Sequence, residues 1–281
     1  MAGVSSKAIK NRIKSMESTR QITKAMELVA ASKLRTVQQR AVLAQPYFTE
    51  LYAAMTGIAA SSRGFESVYF RPKAGGKQAW IVIAGDRGLA GGYNNNIFKL
   101  CTANMDAETC VVLPIGKKAA DHFRRHGYEI LSSDYEEAAA LSSGDCYTIA
   151  RLLSDGFAAG KYSSVVLGYT HFVSLLSQTP ARLELLPLHE VQPEEGRRRE
   201  ILYESGSEAM FNALVPEYLG GLLYGAIADS LASEQAARRT AMDSATKNAD
   251  EIIQNLNLSY NRARQGAITQ EITEIVAGAE N

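Results

Sequence analysis

The sequence has few cysteines and lacks a long hydrophobic run. Three cysteines occur in 281 residues, Cys101, Cys110 and Cys146, and none belongs to a C-x-x-C pair. An odd number of scattered cysteines argues against a disulfide framework and fits a reducing compartment. The most hydrophobic windows, AWIVIAG and SSVVLGY, are only as long as a β-strand. We therefore predict no transmembrane helix.

The sequence also has no excess of charge of either sign. Lys plus Arg and Asp plus Glu each number 30, and the formal net charge is zero. A protein that holds nucleic acid by a broad basic face would show an excess of positive charge, so no nucleic-acid partner is predicted. The N-terminal residues MAGVSSKAIKNRIKSMESTRQ lack the apolar core of a signal peptide, and none is expected.

Motifs that would carry chemistry are missing as well. The turn GDRGLAGGYN places its glycines in the pattern G-x-x-G-x-x-G-G. A dinucleotide site requires G-x-G-x-x-G, and a P-loop requires a following lysine. We interpret Gly85, Gly88, Gly91 and Gly92 as a tight turn that lets a strand and a helix approach each other.

Histidine and nucleophile patterns are equally weak. His122 and His126 are four residues apart, as two ligands of one metal on a helix would be, but no third ligand is evident nearby. We expect them on a solvated basic face. The run Arg197–Arg199 is expected in a solvated loop, and no G-x-S-x-G motif occurs. The sequence therefore predicts no catalytic residue, no cofactor site and no metal site.

What the sequence does contain is a very long C-terminal helical pattern beginning near Ser207. About sixty helical residues would extend over roughly 90 Å, more than a compact domain of this size needs. The apolar residues recur at steps of three and four, the spacing of a coiled-coil seam. They are Met242, Ala245, Ala249, Ile252 and Leu256.

A second helical pattern at the N-terminus, from about Val4 to Ile58, has the same spacing. Because a long helix must bury its apolar face against something, we predict that the two termini form an antiparallel coiled coil. The alternative is two ordinary long helices packed on a globular core. Pro46 predicts a kink in the first helix rather than its end. The apolar residues are Ile9, Ile13, Met16, Leu34, Val37, Ala41, Ala44, Phe48, Leu51, Met55 and Ile58.

The residues between the helices alternate strand and helix patterns, which predicts a doubly wound, Rossmann-like α/β domain whose last strand is antiparallel. The expected parts are an N-terminal coiled-coil helix at 1–62, the inserted domain at 63–206 and a C-terminal coiled-coil helix at 207–281. The predicted strands are Gln78–Ala84, Cys110–Ile115, Tyr128–Leu131, Ser164–Tyr169 and Arg182–Pro187, and the predicted helices are Asn95–Met105, Lys117–His126 and Asp145–Ala159.

The composition of the C-terminal helix favours a mechanical or interaction protein. Between Leu231 and Ala249 its seam is mostly alanine with polar residues interleaved, whereas a permanently locked helix would carry larger apolar side chains. Its end is apolar, and nothing in the sequence remains to cover it, so a surrounding sleeve from another protein is expected. The residues of this end are Ile268, Ile272, Ile275 and Val276.

Three segments resemble the gamma subunit of F-type ATP synthases. They are IKNRIKSMESTRQITKAMELVAASKLR, GDRGLAGGYNNNI and SEQAARRTAMDSATKNADEI followed by YNRARQGAITQEITEIVAGA. The resemblance covers both long helices and the α/β region in outline. It implies a rotating shaft inside a ring of three alpha and three beta subunits. It also implies a foot that, with epsilon, sits on the membrane ring of c subunits, at the cytoplasmic face of a bacterial membrane. The beta subunits would carry the chemistry, in agreement with the absence of a catalytic motif.

The same resemblance implies contact positions on the shaft. Lys24 and Met26 match positions facing a mobile acidic loop of beta, and Glu234 and Arg238 match positions coupled to the Met26 region. Tyr203 would lie near the foot. For each residue the alternative is that it is simply exposed, or that it is a polar residue within the two-helix rod, and contacts no partner. The upper contact with beta would comprise Arg264, Gln265, Thr269 and Glu271.

Two departures from the family bear on function. Ala90 stands where many relatives have Cys, so thiol chemistry is not expected in this turn. The cysteine-bearing insertion of chloroplast relatives is absent, which removes that route of redox regulation. Two other functions stay open at this point: a Rossmann-like nucleotide-binding enzyme with helical extensions, and a static coiled-coil scaffold.

Overall fold

The computed structural model describes residues 6–61, 66–188 and 206–279. Two long helices flank a set of alternating strands and shorter helices, which confirms the predicted mixed α/β class. The elements in chain order are α1 (Ser6–Ser61), β1 (Lys77–Ile83), α2 (Tyr93–Thr102), β2 (Cys110–Ile115), α3 (Lys117–Arg125), β3 (Glu129–Ile130), a short 3-10 helix (Ala138–Ala140), α4 (Ser143–Ala158), β4 (Tyr162–Phe172), β5 (Gln178–Leu186) and α5 (Ser207–Ala279).

The chain divides into two compact units, and both long helices contribute to each of them. Unit 1 comprises Met1–Ala31 and Arg238–Asn281, and unit 2 comprises Ser32–Ala237. Helix α1 continues through Pro46, as predicted, and the kink there stays a prediction. Within the described ranges, no helix is both long enough and apolar enough to cross a membrane.

In unit 1 the segments of α1 and α5 run antiparallel. Arg20 contacts Asp250 and Thr23 contacts Thr246, so the residue numbers rise on one helix as they fall on the other. The less exposed residues of both helices recur at steps of three and four, and we call this line the seam. From α1 it includes Ile9, Ile13, Met16, Thr23 and Ala30, and from α5 Met242, Thr246, Ala249, Ile253 and Leu256.

The seam on α5 differs from the prediction at two positions: it includes Thr246 and Ile253 where Ala245 and Ile252 were predicted, although Ala245 is also half-buried. Ile252 was expected to face the partner helix, but it is 42% exposed, and Ile253 is half-buried instead. Both isoleucines are equally apolar, so hydrophobicity could not distinguish them. The contact between Thr246 and Thr23 sets which face of α5 lies on the seam. The prediction missed this contact because it considered only apolar residues.

Unit 2 contains a five-stranded sheet in the order β3-β2-β1-β4-β5. Strands β1 to β4 pair in parallel, and β5 pairs with β4 antiparallel, as predicted. The observed β2 has the predicted bounds. Strand β4 is longer than predicted because it continues through Thr170 and His171, polar residues paired with β5 beyond the last β1 partner at Gly168.

Helices cover both faces of the sheet. Helices α2 and α3 pack on the face that carries Trp80 and Val82. Helix α4 and the first turns of α5 pack on the face that carries Ile81 and Leu113. Helix α5 approaches α4 closely because position 220 is glycine: a Cβ built there would lie 3.1 Å from the Cα of Tyr147. Side chains of α5 that enter this core include Phe211, Val215, Leu219 and Leu223.

The last described turns of α1 join the same core of unit 2. Met55 and Ile58 are at most 2% exposed and belong to the cluster that includes Phe211. The rings of Tyr52 and Tyr218 lie 5.9 Å apart, so α1 and α5 also meet here. Burying one such side chain stabilises the folded state by about 1.5–3 kcal/mol. The side chains of Ala41, Ala44 and Phe48, predicted for the same face, lie outside the described residues.

Candidate functional site

The centre of the seam in unit 1 is polar rather than apolar. The Oγ1 atoms of Thr23 and Thr246 lie 2.8 Å apart, and Thr23 is only 9% exposed. Each hydroxyl has one proton, so one threonine donates to the other, and the threonine that accepts donates to a carbonyl of its own helix. The carbonyl within reach is that of Arg20 at 3.0 Å for Thr23 and that of Met242 at 2.8 Å for Thr246. About one turn away, Nη1 of Arg20 lies 3.1 Å from Oδ1 of Asp250. We call Arg20, Thr23, Thr246 and Asp250 the polar layer.

Four charged side chains flank the polar layer. Lys24 contacts Glu27 at 2.8 Å, and Lys247 contacts Asp243 at 2.7 Å. The hydrogen bond from Lys247 lowers the pKa of Asp243, and the positive charge of Lys24 lowers it further. The same hydrogen bond raises the pKa of Lys247, and the charge of Glu27 adds to it. The four side chains thus form two ion pairs within the chain, Lys24 with Glu27 and Lys247 with Asp243.

Two residues predicted to face a partner lie here: Lys24 belongs to this charged cluster, and Met26 follows it two residues further along α1. The Lys24 side chain is 54% exposed even while paired with Glu27, and Met26 is half-buried. Met26 lies on a line with Ile22 and Val29, which are 58% and 55% exposed. We call Ile22, Met26 and Val29 the apolar stripe of α1. A cationic residue and an apolar stripe are therefore both available to another protein.

The predicted upper contact near the end of α5 is exposed throughout. Arg264, Gln265, Thr269 and Glu271 are all exposed, and the Thr269 hydroxyl donates to the Gln265 carbonyl at 3.0 Å. Apolar side chains lie between them: Ile268, Ile272 and Ile275 are 47%, 56% and 71% exposed. The side chain of Val276 lies outside the described residues. This segment thus presents a mixed polar and apolar surface.

The remaining predicted residues have different surroundings. Glu234 is 6% exposed and lies within unit 2, so its side chain faces the interior of the chain. Its Oε1 atom would be 2.8 Å from a Cβ built on Gly85. Arg238, in unit 1, is half-buried. Tyr203 and the run Arg197–Arg199 lie outside the described residues.

Glu234 approaches the turn that resembled a dinucleotide motif. The amide of Gly85 donates to Oδ1 of Asn94 at 2.9 Å, and Oδ1 of Asp86 accepts from the amide of Ala138 at 3.3 Å. Leu89 and Gly91 have φ values of +63° and +57°, which make the turn compact. These groups bind the chain's own atoms, as a structural turn requires.

The crevice where a doubly wound sheet would bind a ligand is occupied by α5. Such crevices form at the carboxyl ends of the strands where the chain direction across the sheet reverses, here between β1 and β4. At that place the amide of Thr170 donates to Oγ of Ser230 at 3.1 Å, and the hydroxyl of Ser233 donates to the Thr170 carbonyl at 3.2 Å. All three residues are buried. The Rossmann-like enzyme is therefore disfavoured, because the protein fills its own candidate site.

His122 does not lie on a solvated face, contrary to the prediction. Its ring stacks on Phe98 with centroids 4.1 Å apart and planes 8° from parallel. Partial burial, and secondarily the neighbouring His126, lowers the pKa of His122. Nδ1 of His126 lies 2.7 Å from the His122 carbonyl. Among the residues that the structure describes, no cluster of three metal-ligating side chains occurs.

Comparison with known proteins places these features in a family. A family model described as ATP synthase matches residues 5–281. The ATP synthase gamma chain of Ruminococcus albus is 45% identical over 280 residues, which cover 98% of each chain. The gamma chain of Lachnoclostridium phytofermentans is 41% identical over 282 residues, with 96% of this chain and 97% of that protein covered.

Solved structures share the fold. A structure of the Euglena gracilis mitochondrial ATP synthase rotor matches with a TM-score of 0.61 and 17% identity, covering 94% of this chain and 98% of the other. A structure of the central stalk and c-ring of the Tetrahymena thermophila enzyme matches with a TM-score of 0.55 and 23% identity, covering 80% and 99%. With its family match and these full-length relatives, the chain belongs to the ATP synthase gamma chain family.

Proposed function

We propose that this chain is the central rotating shaft of a proton-translocating F-type ATP synthase. It couples rotation of a c-subunit ring to conformational change in three beta subunits, which alternate with three alpha subunits around it. The chain itself is not catalytic. The observation that carries this proposal is the antiparallel helix pair of unit 1, whose polar, self-neutralised centre is flanked by exposed apolar side chains.

Rotation requires that the shaft be held by its surroundings without being locked to them. A surface of large apolar side chains along the whole pair would favour a single fixed orientation. Here Lys24, Glu27, Asp243 and Lys247 satisfy one another within the chain. A surrounding sleeve therefore gains little by pairing with these charges in one particular orientation. The two helices also present different side chains in different directions, so each orientation stabilises a different set of beta conformations.

We assign partner contacts to the exposed positions. Lys24 and Met26 face an acidic loop of beta, with the apolar stripe beside them. Arg264, Gln265, Thr269 and Glu271 form the upper contact with beta, and Arg238 acts with the Met26 region. Glu234, which is 6% exposed, acts from within the chain by holding α5 rather than by touching a partner.

The rest of the chain serves the other end of the complex. We propose that residues 63–206 form a foot that, with an epsilon subunit, sits on the c ring, and that residues 1–62 and 207–281 form the shaft. Tyr203 is assigned to the foot. The complex would lie at the cytoplasmic face of a bacterial cell membrane, to which this chain attaches peripherally. One relative, from Acetobacterium woodii and 39% identical, is named a sodium ion specific gamma chain, so pumping should be measured with and without sodium.

Direct observation of rotation separates a shaft from a static scaffold. Leu176 is 87% exposed, and the three native cysteines are buried, so Leu176→Cys gives one reactive thiol for attaching a bead. With the alpha and beta subunits fixed to a surface, ATP should drive stepwise rotation of the bead. A bead that keeps one orientation during ATP hydrolysis would reject the shaft and favour the scaffold. Co-purification with three alpha and three beta subunits is the first requirement.

A further inference from the structure

We propose that Ser230 and Ser233, together with Glu234, form a joint that fixes α5 to the end of the sheet and carries torque between them. This inference rests on the proposed shaft function. It assigns a positioning role to three residues of α5 that lie in unit 2 and touch no reacting group. We call this arrangement the sheet joint.

The sheet joint lies where β4 extends beyond the end of its neighbouring strand β1. Strand β1 pairs with β4 only as far as Gly168, so Thr170 has no β1 partner. On its other side Thr170 is opposite Pro180 of β5, which has no N–H to donate. A strand residue directs its N–H and C=O to the same side, and both groups of Thr170 point to α5. The helix thus takes the place of the missing strand.

Two hydrogen bonds of opposite direction hold the helix there. Ser230 accepts from the Thr170 amide at 3.1 Å, and Ser233 donates to the Thr170 carbonyl at 3.2 Å. Both serines are 0% exposed, so water cannot readily replace either bond. Because the serines are one helical turn apart, the two bonds together oppose rotation of α5 about its axis and sliding along it. Breaking them would leave buried polar groups unpaired.

Neighbouring contacts restrict α5 further. Glu234 follows Ser233 directly and packs on the turn after β1, where a Cβ on Gly85 would be 2.8 Å from its Oε1 atom. Ala232 and Ala236 of α5 pack with Leu34 of α1 and with Phe172 at the end of β4. The small alanines allow α1 to come close. The helix is therefore held by β4, by the turn after β1 and by α1 at the same level of the sheet.

The structural part of the proposal can be tested on the whole chain. Removing the Ser230 hydroxyl by Ser230→Ala should speed hydrogen exchange of the Thr170 amide by about tenfold or more, because one buried hydrogen bond is lost. Ser244→Ala is the matched control, since Ser244 is exposed on the same helix. Unchanged exchange in Ser230→Ala would overturn the sheet joint.

The functional part is tested in the complete, membrane-reconstituted complex. We expect Ser230→Ala/Ser233→Ala to hydrolyse ATP at the wild-type rate per assembled complex while pumping fewer protons per ATP, by about twofold or more, because the weakened joint slips. A loss of stability alone would reduce the amount of assembled complex but not the number of protons pumped per ATP. If the double variant does not assemble, the number of protons pumped per ATP is measured on the single variants Ser230→Ala and Ser233→Ala instead.

The outcomes are distinct. A lowered ratio in the double variant, with a wild-type ratio in Ser244→Ala, supports the joint. An unchanged ratio together with faster exchange at Thr170 overturns the torque-carrying role and leaves the shaft function intact. A wild-type complex that hydrolyses ATP without pumping overturns the proposed function and, with it, the joint's role.

Discussion

The side chains of Thr23 and Thr246 share a hydrogen bond of 2.8 Å across the seam of unit 1. Apolar side chains are usual at this kind of position in a coiled coil, and a single buried polar pair fixes register at some cost in stability. A slip of the helices by one heptad would separate the two hydroxyls. We therefore interpret this pair as the contact that defines the phase of α5 against α1.

Replacing both threonines should leave stability nearly unchanged, whereas replacing one should lower it. Thr23→Val alone should cost about 0.5–1.5 kcal/mol because Thr246 loses a partner, and the double variant Thr23→Val/Thr246→Val should be close to neutral or more stable. Urea unfolding of the four proteins gives the coupling energy of the pair. Thr19→Val is the control, since Thr19 is exposed on α1. Additive effects of the two single changes would show that the hydroxyls do not interact.

Introducing a positive charge at Met26 should impair coupling. Met26→Lys places an ammonium group within the apolar stripe, where it can form an ion pair with the acidic beta loop and favour one orientation. We expect ATP hydrolysis to continue while ATP-driven proton pumping per ATP falls. Met26→Leu, which keeps the site apolar, is the matched control. Wild-type pumping by Met26→Lys would count against the assigned contact.

A methyl group at Gly85 should disturb the packing of Glu234. A Cβ there would lie 2.8 Å from Oε1 and 3.0 Å from Cδ of Glu234. We expect Gly85→Ala to lower the free energy of unfolding by about 1–3 kcal/mol, the usual cost of overpacking. A Cβ on Gly88 of the same turn would meet nothing within 4 Å, so Gly88→Ala is the control. Equal stabilities of the two variants would contradict the close contact.

The stacked His122 predicts a pH dependence of stability. Its pKa lies below the ordinary value of 6.5, so the unfolded chain binds the proton more readily than the folded one. The stabilisation from neutral His122 is therefore complete above pH 6.5 and is lost as the pH falls below that value. His122→Phe keeps an aromatic ring against Phe98 and removes the proton site. Urea midpoints measured between pH 7.5 and 5.5 should fall less for this variant than for the wild type; parallel curves would exclude the contribution.

The local patterns of the sequence predict most of the secondary structure. The buried run Cys110–Ile115 marks β2 because a strand covered on both faces is apolar throughout. Strand β4 was predicted too short because Thr170 and His171 are polar, and their strand conformation comes from pairing with β5. The choice between Ile252 and Ile253 also depended on a partner helix far away in the sequence. Periodicity identifies elements, while tertiary contacts set their limits and their phase.

The sheet joint could not have been predicted from the sequence. Ser230, Ser233 and Glu234 lie in a helical pattern that indicates only small and polar residues at the seam. Their roles depend on Thr170 and Gly85, which lie in other parts of the chain. The exposed contact residues, by contrast, could be identified from the sequence. Lys24 and Arg264 were identified by resemblance, and their exposure in the structure agrees with a surface role without assigning a partner.

The position of α5 in the crevice between β1 and β4 also determines how small molecules could act on this protein. A compound aimed at the carboxyl ends of β1 and β4 would have to compete with Ser230 and Ser233 for the backbone of Thr170. Nucleotide mimicry would offer it no advantage, since the groups to be displaced are serine hydroxyls. Such a compound would separate α5 from β4 and uncouple ATP hydrolysis from proton pumping. It would lower the number of protons pumped per ATP without lowering the rate of ATP hydrolysis.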